Sequence, residues 1–163
     1  MPSEGTVSDV GLFGGVLARG PVREAVSDRA WLQAMLDVEA ALARAEAGAG
    51  LFSEEEAEAI VQACRAERYD PAELGERAAS SGNPAAPLVR ALTAQVEGPA
   101  AGHVHRGATS QDVVDSAAML VAHRALGPLL DDLEGAATAA AREDGYHLDI
   151  HLQGPEETVF FAL

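Results

Sequence analysis

Apolar positions along this chain recur at spacings of three and four rather than two, which predicts helices throughout. From Ser27 the run Trp31, Met35, Val38, Leu42 and Ala45 marks one long amphipathic helix, with Ser27 or Asp28 as its cap. Gly48 and Gly50 stop it. A second helix opens at Ser53, where a serine and a glutamate three residues on form a capping box, and its buried side is read as Ala57, Ile60, Val61 and Cys64. Asp70-Pro71-Ala72-Glu73 starts a third, combining a cap, a proline at the first helical position and an acid at the third, and Ser80-Ser81-Gly82 ends it. Helix is expected again from Pro87 to Val96, followed by the breaker-rich Glu97 to Gly102. A last stripe of Val113, Ala117, Leu120, Val121 and Leu126 begins near Thr109 or Ser110. Gly127-Pro128 should kink or restart that helix, because proline lacks a donor and clashes with the previous turn, before Leu129, Leu130, Leu133 and Ala137 resume the pattern. Ahead of all this, Arg19-Gly20-Pro21 starts a short helical turn after a polar, glycine-containing opening. No strand alternation or repeat stands out, so the fold class is all-α.

Length and charge narrow the class of protein. With 163 residues the chain is one ordinary domain, large enough to bury a core without staples. A formal charge of −15 and a pI near 4.5 disfavour nucleic acid and anionic membrane surfaces as partners. No apolar run is expected to approach the ~20 residues of a membrane span, and no basic segment leads into an apolar one at the N-terminus. Cys64, the single cysteine, has no internal disulfide partner and fits a reducing compartment. A soluble, cytoplasmic protein is the expectation.

The densest chemistry lies in His103-Val-His-Arg-Gly-Ala-Thr-Ser-Gln111, which packs two imidazoles, a guanidinium, a glycine, two hydroxyls and an amide into nine residues before a helix. A helix start exposes unpaired N–H groups and the positive end of the macrodipole, so such side chains there suit a carboxylate or phosphate. The plainer reading of Thr109 or Ser110 with Asp112 behind it is an N-cap and a favourable first-turn charge. His103 and His105 are of the type that titrates near neutral pH, and Gly107 permits a backbone that a side chain would block. Elsewhere the bland readings win. Glu54-Glu55-Glu56 is helix-start chemistry rather than a metal site, and Cys64 sits in an apolar stripe as a core residue. His147 and His151 are an i, i+4 pair, but Gly145 and Gly154-Pro155 bracket too short a helix and no third ligand is evident, so no metal is expected.

Three stretches resemble one family. Gly107-Ala-Thr-Ser-Gln-Asp112, preceded by His105 and followed by Val-Val-Asp-Ser-Ala, resembles the first signature of the fumarase/aspartase superfamily, in its 3-carboxy-cis,cis-muconate cycloisomerase branch. Gly82-Asn-Pro-Ala-Ala-Pro-Leu-Val-Arg-Ala-Leu-Thr93 is similar to a second pocket segment of that branch, and Val26 to Ala45 to its first long helix. The resemblance implies the N-terminal helical domain of that fold (1–108), the start of the central long-helix bundle (109–142) and a divergent tail (143–163). It implies an intramolecular lyase of protocatechuate breakdown that closes a small tricarboxylate to a lactone without metal or organic cofactor. Thr109, Ser110, Gln111, Asn83 and Arg19 would contact substrate, and His105 would orient it or handle a proton. Asn83 separates this branch from relatives acting on adenylosuccinate, which carry histidine there. The family assembles each site from several subunits of a homotetramer. After Arg142 the resemblance ends and two further signatures of the family are not found, so a truncated or frame-shifted product or a foreign tail is expected, without turnover alone. The alternatives are another lyase of the superfamily, of the adenylosuccinate or argininosuccinate type, and a non-catalytic helical remnant that only associates.

Overall fold

The structure is a computed structural model that describes residues 20–144, with side chains to Arg142. Six α-helices and two 3-10 turns follow in order: α1 Gly20–Ala25, α2 Asp28–Gly48, α3 Glu54–Ala63, a 3-10 turn Ala66–Arg68, α4 Pro71–Ser81, α5 Ala85–Gln95, a 3-10 helix Gly98–His103, and α6 Ser110–Asp144. Among the described residues there is no strand, so the all-α expectation holds. By its own contacts the chain forms two units, Met1–Ala125 and Leu126–Leu163.

Local signals place the helix ends in the first unit. Ser27 is the N-cap of α2, its hydroxyl accepting from the Ala30 amide. The Ser53 and Glu56 side chains accept reciprocally from each other's backbone amides, the expected capping box of α3. Asp70 caps α4 with Pro71 in the first turn, and Gly82 closes it at φ 65°. The packing of these elements then buries one continuous core: α2 packs chiefly on α3, α4 on α5, and the 3-10 helix before the signature on α3. Leu36, Ile60, Leu88, Leu92 and Val113 are fully enclosed there, each such burial being worth about 1.5–3 kcal/mol. Gln33 ties the layers together. Its amide donates to the Asp37 carboxylate (2.8 Å) and the Cys64 carbonyl (3.2 Å), while its carbonyl accepts from the Ala66 amide (2.9 Å). Tyr69 closes the same corner by donating to the Ala63 carbonyl (2.8 Å).

Three expectations are corrected. The buried residues of α2 are Leu32, Ala34, Met35, Leu36, Glu39, Ala40 and Ala43, whereas Trp31, Val38 and Leu42 are half-buried and Ala45 is exposed. An apolar-only pattern skips Glu39 and so rotates the face by about one position. Of the kink or restart expected at Gly127-Pro128, the restart does not occur, since α6 runs through Pro128 as one 35-residue helix. The carbonyl that loses its donor there belongs to Arg124, an exposed residue where water can replace the bond. Finally, Ser110–Arg142 is long and apolar enough to cross a membrane by length and composition, because alanine and leucine carry it with few charges. Within the first unit this helix uses Val113, Ala117 and Val121 as core, and Arg124 donates to Asp37 on α2 (2.7 Å).

Candidate functional site

The signature begins in the turn between the second 3-10 helix and α6. His103 stacks on Phe52, with ring centroids 4.5 Å apart and planes 13° from parallel, and its Nε2 lies 3.6 Å from the Glu56 carboxylate. The chain then turns through two left-handed residues, His105 at φ 58° and Gly107 at φ 72°. Glycine adopts this freely, and a Cβ at Gly107 would sit 3.7 Å from a Glu46 oxygen, an ordinary contact. Histidine does so at a cost of about 1–2 kcal/mol. A specific interaction holds it there.

That interaction is the junction of turn and helix α2. His105 Nδ1 lies 2.6 Å from Oε1 of Glu39, whose side chain is 1% exposed. Glu39 Oε2 and Glu46 Oε2 are both buried without a hydrogen-bond partner among the described residues. Burial pushes the Glu39 carboxyl above the ordinary carboxylate range, opposed by the hydrogen bond and charge of His105 and reinforced by Glu46. A buried carboxylate needs such a partner, since an unpaired one costs several kcal/mol.

At the start of α6 the three signature side chains have separate tasks. Thr109 caps the helix: its amide and hydroxyl donate to Asp112 Oδ2 (both 2.8 Å), and its hydroxyl accepts from the Asp112 amide (3.4 Å). These bonds hold the exposed Asp112 carboxyl below its ordinary value. Gln111 donates to Asp115 Oδ1 one turn along (2.9 Å). Ser110, half-buried, has no side-chain hydrogen bond among the described residues, and it stands at the positive end of a 35-residue helix.

Asn83 is placed in the α4–α5 connection, where its Oδ1 accepts from the Ala85 amide (2.8 Å) and helps start α5, leaving its amide nitrogen unbonded among the described residues. No hydrogen bond joins it to His105 or to residues 109–111. Arg19 and the His147/His151 pair lie outside the described residues. Cys64 is buried, and desolvation first, then the Glu39 and Asp37 charges, push its thiol up to about 12. An open groove of about 480 Å³ between α2 and α4, lined by Trp31, Met35, Leu74 and Pro84, is apolar except for Asp28 and contains none of the signature residues. The chemistry lies elsewhere. Glu39 is the residue that periodicity and motif reading did not select; the signal available was a charge set squarely within an apolar stripe.

A sequence profile described as Lyase matches residues 17–154, most of the chain. The chain belongs to this lyase family, within the fumarase/aspartase superfamily. It is similar to 3-carboxy-cis,cis-muconate cycloisomerase of Pseudomonas aeruginosa, at 47% identity over 146 residues covering 88% of this chain and 32% of the relative. Nitrosuccinate lyase of Streptomyces davaonensis is also 47% identical, over 144 residues, 86% of this chain and 30% of that protein. Among solved structures, the 3-carboxy-cis,cis-muconate lactonizing enzyme of Pseudomonas putida superposes with a TM-score of 0.74 at 44% identity, covering 81% of this chain and 31% of that one. The chain thus spans about a third of the length of the curated relatives it matches. For this lyase-family chain, the Thr-Ser-Gln stretch and the Glu39–His105 pair are the parts of the candidate site whose geometry is described.

Proposed function

We propose that this chain supplies one wall of a 3-carboxy-cis,cis-muconate cycloisomerase site. The observation that carries the reading is the division of labour at the start of α6: Thr109 is committed to the cap, and the adjacent Ser110 hydroxyl has no hydrogen-bond partner among the described residues at the helix's positive end. A tricarboxylate presents several anionic groups, and donors at a helix N-terminus stabilise both the bound acid and charge developing next to a reacting carbon. In the proposed reaction one carboxylate oxygen of the substrate adds to an alkene carbon, forming the C–O bond of a lactone. The neighbouring carbon receives a proton from a positioned donor. Ser110 and Gln111 bind a carboxylate, Thr109 holds the helix start in register, Asn83 offers its free amide nitrogen, Arg19 contributes a cation, and His105 orients substrate or carries a proton.

The wall is open, with Gln111 exposed and Ser110 half-buried, which suits a site completed by other segments and subunits of a homotetramer. In the second unit Leu126, Leu129 and Leu130 are 51%, 42% and 39% exposed, and this apolar surface fits helix-to-helix packing between subunits. A lone chain is expected to bind without turning over. The one buried thiol suits a cytoplasmic enzyme of protocatechuate breakdown.

A second reading takes a nitro-substituted dicarboxylate instead, favoured by the equal identity to a nitrosuccinate lyase. Calorimetric titration of the purified chain separates the two. Saturable binding of 3-carboxy-cis,cis-muconate, displaced weakly by nitrosuccinate and lost in Ser110→Ala, supports the first. Tighter binding of nitrosuccinate supports the second, and binding of neither assigns the chain to association alone.

A further inference from the structure

We infer that Glu39 is a positioning residue for His105: by taking the proton-bearing Nδ1, it leaves Nε2 as the one ring nitrogen through which His105 meets an anionic substrate. The inference rests on the proposed role of His105 and specifies the atom that performs it. Three observations converge. Nδ1 is engaged at 2.6 Å by an oxygen of a carboxylate that is 1% exposed, so no ligand can compete for it. The His105 side chain is 16% exposed rather than sealed, and its Nε2 has no hydrogen-bond partner among the described residues. The backbone at His105 is held at φ 58°, a conformation that persists only where its surroundings impose it, and the Glu39 contact is the long-range bond on that side chain.

The electrostatics favour the same arrangement. An ionised Glu39 accepts from Nδ1–H, which fixes the neutral imidazole with its lone pair on Nε2. When Nε2 takes a proton the resulting imidazolium faces the Glu39 carboxylate, and Nε2–H becomes a charged donor toward a substrate carboxylate. When it gives that proton up, the pair returns to the neutral ring hydrogen-bonded to the carboxylate. Atoms and charge balance within the pair at a pH above the raised folded pKa of Glu39, where its carboxylate stays ionised. Glu46, half-buried beside Gly107 with its Oε2 enclosed, adds a second negative charge on the same side of the turn, and Asp112 adds one from the start of α6.

The test is the tautomer of His105 in the intact chain, read by long-range 1H–15N correlation on 15N-histidine-labelled protein at a pH where the ring is neutral. Loss of one set of signals in His105→Asn assigns the resonances. The expected result is a proton on Nδ1 in the unsubstituted chain and a shift of that proton toward Nε2 in Glu39→Leu, which removes the acceptor, with Glu39→Asp partly restoring Nδ1–H. A wild-type ring protonated on Nε2 overturns the inference whether or not any variant folds, and so does an unchanged tautomer in a folded Glu39→Leu, which has no acceptor to offer Nδ1. Adding 3-carboxy-cis,cis-muconate should then move the Nε2 resonance and leave Nδ1 in place. An Nδ1–H tautomer with no response to the tricarboxylate upholds the positioning by Glu39 and removes the proposed substrate instead.

Discussion

Replacing Thr109 and Ser110 by alanine, one at a time, separates the folding role of the signature from its binding role. Thr109 Oγ1 accepts from the Asp112 amide and donates to the Asp112 carboxylate, so Thr109→Ala removes the cap of a 35-residue helix whose first buried residue, Val113, follows within one turn. Loss of a threonine cap costs about 1 kcal/mol, within a range of roughly 0.5–2. For a chain of this size that lowers Tm by about 2–4 °C. Ser110→Ala removes a half-buried hydroxyl with no described partner, so its effect on stability should stay within about 0.5 kcal/mol. Its effect on binding should be the larger of the two: losing a hydrogen bond to a charged ligand, about 1.5–3 kcal/mol, weakens Kd by roughly 10- to 100-fold. Thermal unfolding followed by circular dichroism gives the first quantity and calorimetric titration with the tricarboxylate gives the second. The reasoning fails if Ser110→Ala melts as early as Thr109→Ala, or if Thr109→Ala keeps its Tm while losing the ligand.

Other residues carry independent expectations. Gln33→Ala leaves the Cys64 carbonyl and the Ala66 amide, both on buried residues, without their partner, and should cost about 2–4 kcal/mol in urea unfolding; a loss below about 1 kcal/mol would mean water replaces both bonds. Cys64, with its thiol pushed up to about 12, should resist an aromatic disulfide reagent at neutral pH and react fully only in denaturant, whereas rapid native-state labelling would contradict its burial. Glu39 titrates above the ordinary carboxylate value in the folded chain because of burial, so folding favours its protonated form and the contribution falls as pH rises through the folded pKa. Comparing urea unfolding of the unsubstituted chain and Glu39→Gln from about pH 5 to about pH 8, the variant should gain relative stability toward higher pH; a constant difference would refute the sign.

Helix existence, order and most ends were legible in the sequence because each end carries its own chemistry: Ser53 with Glu56, Asp70 with Pro71, and Gly82 each satisfy groups within a few residues of themselves. The fates of Thr109 and Gln111 follow equally from Asp112 and Asp115 being three and four residues on. What was not legible depends on chain segments far apart. Glu39 and His105 are 66 residues apart, and nothing in the periodicity of α2 says that a carboxylate within its buried stripe will find an imidazole from a turn. The same holds for Gln33, whose reach to residues 64 and 66 exists only once α2 and α3 are packed. A polar residue within an apolar stripe therefore carries two possibilities, an error in the assigned face or a buried partner to be found. In this chain both were true at once: skipping Glu39 rotated the face of α2, and restoring it identified the group that holds His105.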